Sequence, residues 1–409
     1  RAVTRPLTRR MGRRAKAPKP APLSPNPPSP RHCLDARRLA ERVDWSPTAS
    51  RDRFCVRLVT NPRPQRLASD WFSTGSQSRP PRTRVPGKAG VMDDVPFRGE
   101  IRLACYRRVS HGLGLVRRAD LSEDEEFRRE LRAYRLVLPS SAVFTHLTAA
   151  RLLGWQLPRL PEQVPVFVAV DGDDPRPRRN GLICSRLVRR RRPLTCQGLP
   201  IDAPEEILLR AARDLGLLDL VILIDSALRL KHLDPRRMED VLRSGRPGVR
   251  MLREAWNRAT GKADSAGESV LQQFHVVMDV AFEPQAEITD ADGRVVARAD
   301  LHVSDTNFLH EYDGEHHRRK EQHRTDLRRE RGIAGTPYVR CGFVLDDLLN
   351  HAAVVMHELD RALDRPHRPR RLRAWRRLVD NSMYSQNGRE RLMNRWRRQG
   401  GLIDWSRTA

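Results

Sequence analysis

The stretch "RADLHVSDTNFLHEYDG", residues 298–314, decides the fold of the C-terminal half of this chain. Two β-rich runs flank the polar turn "SDT", and the acidic residues Asp300, Glu311 and Asp313 stand in or beside these runs. Acidic side chains are poor strand residues, and like charges that face each other across a sheet destabilise it. The spacing of these carboxylates therefore points to a chemical task that needs them.

The apolar residues of this hairpin predict its register. With the turn centred on residues 305–306, Phe308 pairs with Val303, and Glu311 pairs with Asp300 on one face of the sheet. The other face then carries a mostly apolar set of side chains: Ala299, Leu301, Val303, Phe308, His310 and Tyr312. A slip of one residue would bury the acids and expose the apolar residues, so the pattern favours the register that clusters the carboxylates.

The clustered carboxylates predict a divalent cation site. Facing residues have Cβ atoms roughly 4.5–5.5 Å apart, and two carboxylates at that distance repel unless a proton or a cation lies between them. Mg²⁺ (or Mn²⁺) prefers oxygen ligands, and such an ion polarises a phosphoryl oxygen and activates water. Asp313 lies two residues beyond Glu311 and hence on the same face. The alternative is an ordinary charged sheet surface, in which Arg298 forms a cross-strand salt bridge with Asp313.

Further helices and strands are predicted around the hairpin. An amphipathic helix over residues 265–280 carries Glu268 in its first turn. Three β-runs, a basic helix, a short strand and a final amphipathic helix follow: 284–289, 294–303, 307–314, 318–332, 337–343 and 345–363. The element order is therefore α-β-β-β-α-β-α. The basic helix can hold a phosphate backbone, and its residues Gln322, Asp326 and Arg329 share one face.

The spaced polar residues of this segment resemble one branch of the PD-(D/E)XK nuclease superfamily. That branch comprises the very-short-patch-repair (Vsr)-like endonucleases and their uncharacterised bacterial relatives, and the resemblance covers residues 264–363. The residues that carry it are Glu268, Asp300, Glu311, Asp313, Gly314, His317, Gln322, Asp326 and Arg329. The resemblance implies a restriction-endonuclease-like α/β domain that hydrolyses DNA with Mg²⁺ or Mn²⁺.

The same resemblance implies roles for individual residues. Asp300 and Glu311 would ligate the metal, joined by the Tyr312 carbonyl, and Glu268 would be an outer or additional ligand. His317 would serve as acid/base or phosphate contact. DNA contacts would come from Arg318, Arg319, Lys320, Gln322 and Arg329.

Asp313 stands where the superfamily pattern has a lysine, and the Vsr-like branch carries Asp there too. Because of this exchange, the group that activates water or stabilises charge is not fixed by the resemblance. Its candidates are Lys320, His316 and His317. Asp313 itself stays among the candidate catalytic residues.

The preceding region, residues 130–260, resembles a domain found in actinobacterial proteins that are similar to AbiEi-type antitoxins. The resemblance rests on "THLTAARLLGW", "GLPIDAPEEILLRAA" and "GRPGVRMLREAW". It implies a cognate toxin or another protein partner, and it supports a rival interpretation as a non-catalytic antitoxin or DNA-binding regulator. Such relatives often begin with a winged-helix unit, whereas residues 92–120 show no clear helix-turn-helix. A third possibility is a product without retained activity.

Local signals predict several elements in this region, which is read as a mixed α/β domain over 92–260. Helices are expected over 121–136 and from an N-cap at Thr145 through Leu153, with His146 as a surface or capping histidine. Asp202 is the expected N-cap of a further helix. The other expected elements are two neighbouring strands in "QVPVFVAVDGDD" and "GLICSRLV", and helices in "DLGLLDLVILIDSALR" and "GVRMLREAWNRAT".

The basic charge of the chain lies at its two ends. Its formal net charge is +26, of which residues 1–91 carry +16 and residues 365–409 carry +10, so the intervening residues are neutral. Residues 1–91 are predicted to be a disordered Arg/Pro-rich extension, or else an artefact upstream of a start near Met92. Residues 364–409 are predicted to be a basic tail. It is either disordered, with arginines and tryptophans that stack on bases or coat a backbone, or a frayed, partly helical extension with no specific role.

Neither the cysteines nor the apolar residues indicate secretion. The six cysteines form no C-x-x-C pair, and no signal peptide or apolar run of membrane-spanning length is present in the sequence. We therefore expect free thiols, a cytoplasmic location and no membrane partner.

Overall fold

The computed structural model describes residues 95–99, 103–187, 193–314 and 332–400. Its first sheet is three-stranded with the order β1-β3-β2, and the strands are β1 (Phe97–Arg98), β2 (Tyr106–Ser110) and β3 (Leu113–Val116). The described residues before position 120 form no helix, in keeping with the absence of a helix-turn-helix pattern. Helices alternate with mixed sheets throughout the described ranges, and the predicted α/β class is confirmed.

Helix α1 (Glu123–Arg135) confirms the first predicted helix, and its start has a clear cause. The Ser122 hydroxyl accepts a hydrogen bond from the Glu125 backbone N–H, and the Glu125 carboxylate accepts one from Ser122 N at 2.8 Å. This reciprocal capping box satisfies two backbone donors that the first helical turn leaves free.

A five-stranded mixed sheet with the order β6-β5-β4-β8-β7 follows. Its strands are β4 (Val143–Phe144), β5 (Val166–Val170), β6 (Leu182–Arg186), β7 (Leu194–Cys196) and β8 (Leu199–Ile201). The predicted neighbours β5 and β6 pair in parallel. The β7–β8 hairpin was not predicted; its two-residue turn places Gln197 and Gly198 at φ 50° and 79°, and glutamine is an uncommon residue for such a turn.

Five helices accompany this sheet: α2 (His146–Leu152), α3 (Pro204–Ala211), α4 (Leu217–Arg229), α5 (Pro235–Arg243) and α6 (Val249–Trp256). The prediction of Asp202 as an N-cap is wrong, because Ala203 caps α3 and the Asp202 carboxylate is buried as an acceptor from Arg210 at 2.9 Å. Thr145 does stand at the cap of α2, but its hydroxyl donates to Asp202 Oδ2 at 3.1 Å.

The prediction that His146 is a surface histidine is wrong, but the capping alternative has support, because its Nδ1 accepts a hydrogen bond from Leu147 N–H in the first turn of α2 at 2.8 Å. His146 is only 2 % exposed, and its ring stacks on Phe167 with centroids 4.0 Å apart. Its Nε2 lies 3.4 Å from Asp214 Oδ2. The reason is that α2 packs against β5, which encloses the first residue of the helix.

The C-terminal half contains α7 (Ala266–Val277), β9 (Phe282–Thr289), β10 (Val295–Val303), β11 (Phe308–Tyr312), β12 (Val339–Phe343), α8 (Leu345–Leu349) and α9 (Ala352–Ala362). The four strands form a sheet with the order β12-β11-β10-β9, in which only β11 and β12 run parallel. The predicted helix over 345–363 is two helices, because Asn350 and His351 end one and begin the next. The predicted basic helix over 318–332 lies almost wholly outside the described residues.

The predicted register of the central hairpin is confirmed. Leu301 pairs with His310, and His302 pairs with Leu309. Leu301 and Val303 are buried against Phe274 of α7 in one hydrophobic cluster. Full burial of one such aliphatic side chain stabilises the fold by about 1.5–3 kcal/mol, which a slip of one residue would forfeit.

The prediction of a disordered tail is wrong for residues 369–400, which form α10 (Pro369–Asp380) and α11 (Gln386–Gly400). Trp375 packs edge-on against Phe274 with centroids 5.1 Å apart and donates its Nε1–H to Leu348 O at 2.6 Å. Trp396 is also fully buried and packs against Phe167. Both indoles serve the core, so neither is available to stack on a base.

Helix α4 connects the two main hydrophobic clusters, because Leu218 and Ile222 belong to one and Leu220 to the other. The boundary at residues 260–264 therefore stays a prediction.

Two further observations concern the described ranges as a whole. The cysteines within the described ranges, namely Cys105, Cys184, Cys196 and Cys341, are free thiols. No helix within those ranges has the length and apolar character needed to cross a lipid bilayer.

Candidate carboxylate site

Two strands and one helix position the candidate carboxylates. Asp300 lies on β10, Glu311 on β11 and Glu268 in the first turn of α7. Continuing the observed hairpin register by one residue places Asp300 opposite Glu311, on the same face of the sheet. Glu311 is 2 % exposed, and Asp300 is partly exposed. The Asp300 carboxylate accepts a hydrogen bond from Tyr312 N at 2.8 Å, which fixes its orientation.

Glu268 is held by three hydrogen bonds. Its Oε2 accepts from Asp264 N at 2.8 Å and from Gln285 Nε2 at 2.9 Å, and its own N–H donates to Ser265 Oγ at 3.1 Å. Burial and the nearby Asp300 charge raise the pKa of Glu268 to about 7. Near neutral pH this carboxyl therefore carries a proton about half of the time.

Gln285 is a site residue that the sequence did not reveal. Its position on β9 falls between the pairs Ala286–Ala299 and Pro284–Leu301, and therefore beside Asp300. Its φ of 57° is left-handed, a conformation that costs a non-glycine residue about 1–3 kcal/mol. With this backbone conformation, the Gln285 side chain donates a hydrogen bond from Nε2 to Glu268.

Arg340 is the cation of the site, and it too was missed. The parallel pairing of Leu309 with Arg340 places it on the carboxylate face. Its Nε donates to Glu311, and one terminal nitrogen lies 3.2 Å from Asp313 Oδ1. The expected salt bridge partner of Asp313, Arg298, forms an ion pair with Asp264 at 2.9 Å. The only sequence signal for Arg340 was its place in a short β-run.

Two glycines allow the close approach of neighbouring elements at the site. A Cβ on Gly267, next to Glu268, would overlap the ring of Tyr312. A Cβ on Gly342 would overlap the Asp313 carboxylate. A larger residue at position 267 would push α7 away from the hairpin that carries the acids, whereas one at position 342 would displace the Asp313 carboxylate.

The opposite face of the hairpin explains why His310 interrupts the apolar pattern. His310 Nδ1 lies 2.8 Å from Nε2 of His275 on α7, and His275 Nδ1 lies 2.9 Å from Leu271 O. Because a carbonyl only accepts, His275 donates from Nδ1 and accepts at Nε2, and His310 donates from Nδ1. Burial lowers the pKa of both histidines, so this pair is neutral and ties α7 to β11.

The remaining predicted site residues, His316, His317, Arg318, Arg319, Lys320, Gln322, Asp326 and Arg329, lie outside the described residues. Within the part of the chain that is described, no group of three or more His, Cys, Asp and Glu side chains has the geometry of a metal centre. Asp300 and Glu311 still offer hard oxygen donors, which suit Mg²⁺ held by one or two carboxylates plus water and phosphate oxygens.

Chemically, the face combines Glu268, Asp300, Glu311 and Asp313 with the guanidinium of Arg340, and Arg298 stands two residues from Asp300 on the same face of the strand. Carboxylates grouped in this way bind protons or cations. In the comparisons with known proteins, no family model, no curated protein and no solved structure matched the chain.

Proposed function

We propose that this chain is a nuclease that hydrolyses DNA phosphodiester bonds with a divalent metal ion, Mg²⁺ or Mn²⁺. Asp300 and Glu311 would ligate the ion, and Glu268 would be the outer or additional ligand. The observation that carries the proposal is the hairpin register, which places Asp300 opposite Glu311. Glu268 lies near enough for the Asp300 charge to raise its pKa.

A cation suits this face because the acids repel one another without it. The proximity of Asp300 disfavours the charged form of Glu268, and a divalent ion would favour the charged forms of both. The bound ion would polarise a phosphoryl oxygen and lower the pKa of a bound water. Backbone and amide donors already orient the carboxylates, as the partners of metal ligands do.

Arg340 has two roles in this proposal. It neutralises Glu311 and Asp313 in the described arrangement. A guanidinium also binds phosphate oxygens bidentately, and Arg340 lies on the face where the scissile phosphate would approach. His317 stays the proposed acid/base or phosphate contact, and the arginines and lysine after it stay proposed DNA contacts.

The test is cleavage of supercoiled plasmid by the full-length protein in Mg²⁺ or Mn²⁺. The proposal expects wild type to cut and Asp300→Asn to lose at least about a hundredfold in rate, because mutation of a residue that merely orients a metal ligand already costs about 10–100-fold. Asp305→Asn is the matched control, since Asp305 is exposed at the hairpin tip with a φ of 60° that asparagine also tolerates. Equal cutting by all three proteins would identify a contaminant, and no cutting by wild type would contradict the proposal.

A second candidate is a DNA-binding regulator of the antitoxin type that keeps a nuclease-like domain. The ion pairs of Arg340 with Glu311 and Asp313 favour it, because they neutralise two acids without a metal. This candidate predicts that wild type and Asp300→Asn both fail to cut but both shift a DNA fragment from the promoter of their own gene. A protein partner such as a cognate toxin is compatible with both candidates, because the N-terminal domain of the nuclease would also supply substrate or partner contacts.

A further inference from the structure

Helices α10 and α11 form a strongly basic surface. Residues 368–398 include eleven arginines and two acidic residues. Arg371 is buried and pairs with Asp360, and Arg395 pairs with Asp214 at 2.9 Å. The exposed arginines of this surface are Arg368, Arg370, Arg373, Arg376, Arg377, Arg391, Arg397 and Arg398.

The charges in the first turn of α10 oppose the helix dipole. The N-terminal end of a helix favours acids and its C-terminal end favours bases. Helix α1 follows this rule at both ends, with four acids in its first turn and two arginines in its last. Helix α10 has Arg377 in its last turn, as the rule prefers, but it has no acid in its first turn and carries Arg370 there. The N-terminal end of α10 therefore presents positive charge where the dipole disfavours it.

The arginines of α10 also repel one another. Arg373 lies three or four residues from Arg370, Arg376 and Arg377, and like charges at these spacings destabilise a helix. Among the described residues, no carboxylate forms an ion pair with any of these four. A polyanion bound along the helix would relieve this repulsion.

The surface is fixed in place by the core beneath it. Trp375 and Trp396 are fully buried, and the Asp219 carboxylate accepts a hydrogen bond from Met383 N at 3.0 Å in the turn between the helices. A cavity of about 550 Å³ opens beside this turn, with Arg377 and Arg391 in its wall. Arg391 is oriented by its hydrogen bonds to Asn381 Oδ1 and Asp380 O.

We propose that the exposed face of α10 and α11 binds the sugar–phosphate backbone of duplex DNA. The inference rests on the proposed function in one respect, since it names where that substrate is held. Proteins that prefer single strands combine charge with exposed aromatic rings that stack on bases. Here both tryptophans are buried, so the face offers charge without stacking, which favours the duplex with its denser phosphates.

The test measures binding of the full-length protein to a fluorescent duplex of about 30 base pairs in EDTA, across a range of salt concentrations. The triple variant Arg373→Gln/Arg376→Gln/Arg377→Gln is compared with Arg236→Gln/Arg237→Gln/Arg243→Gln. The control arginines are exposed on α5, so both variants lose the same charge. At about 0.1 M salt the α10 variant should bind roughly tenfold or more weakly, and its log–log salt slope should fall by roughly 2–3. The control should stay within about twofold of wild type.

Equal losses in the two variants, or no loss in either, would overturn the proposal. A loss for single-stranded DNA with unchanged duplex binding would overturn the choice of the duplex. Melting curves check folding, and Arg373→Lys/Arg376→Lys/Arg377→Lys, which keeps the charge, should retain most of the salt slope. Because binding is measured without metal, an inactive protein that binds duplex would refute the nuclease function alone, and an active one indifferent to the α10 substitutions would refute the surface alone.

Discussion

Two carboxylate groups in this molecule, one around Asp202 and one on the hairpin face, differ in charge balance. Asp202 accepts hydrogen bonds from Arg210 at 2.9 Å, from Thr145 at 3.1 Å and from Ala203 N at 3.0 Å. One carboxylate pairs with one guanidinium there, and each oxygen of the Asp202 carboxylate accepts a hydrogen bond. On the hairpin face, Asp300 and Glu268 disfavour each other's charge while Arg340 serves Glu311 and Asp313. The first group stabilises the fold, whereas the second is the group for which we propose a cation as ligand.

The largest expected effect comes from breaking the balanced group. Arg210→Ala would leave the Asp202 carboxylate buried without its cation, and removal of one partner from a buried pair typically costs about 3–5 kcal/mol. Urea unfolding monitored by fluorescence measures this cost. A loss below about 1 kcal/mol would show that Asp202 is solvated and would remove the contrast between the two groups.

A smaller loss of stability is expected from a substitution where α7 packs against the β10–β11 hairpin. Gly267→Ala would press a methyl group into the packed Tyr312 ring and should destabilise the protein by about 1–3 kcal/mol. Gly342→Ala is the comparison, because its methyl group meets the movable end of the Asp313 side chain. Thermal melts of both variants measure the two losses of stability. Equal losses would mean that the contact between Gly267 and Tyr312 does not position Glu268.

The pH dependence of stability tests the group on the hairpin face. The pKa of Glu268 is raised to about 7, so its contribution to stability is present below its unfolded pKa of about 4.3 and is lost as pH rises through 7. Glu268→Gln keeps an acceptor oxygen without the charge. In metal-free buffer the stability of this variant relative to wild type should rise by about 2–3 kcal/mol between pH 5 and pH 8. Parallel pH profiles of the two proteins would contradict the strained acid pair.

The sequence predicted the hairpin and its register because the side-chain period of two leaves a single arrangement that buries Leu301 and Val303. It predicted Asp300 and Glu311 on one face for the same reason. It did not predict Gln285, since a left-handed glutamine inside a strand has no local signature. Arg340 was missed because parallel pairing of β12 with β11 depends on a long connection.

The C-terminal helices show a different limit of sequence reasoning. Composition suggested a disordered tail, since arginine is the commonest residue of 364–409. Trp375 and Trp396 are instead buried in two separate hydrophobic clusters. Such distant contacts override local composition, and no pattern within the segment reveals them.

The most direct test of the central claim is the effect of Mn²⁺ on the melting temperature of the full-length protein in the absence of DNA. A ligand that binds only the folded state raises the melting temperature as its concentration exceeds its Kd. Wild type and Asp305→Asn should melt at progressively higher temperatures as Mn²⁺ is added, and Asp300→Asn should not respond. The same shift in all three proteins, or none in wild type, would contradict a cation site between Asp300 and Glu311.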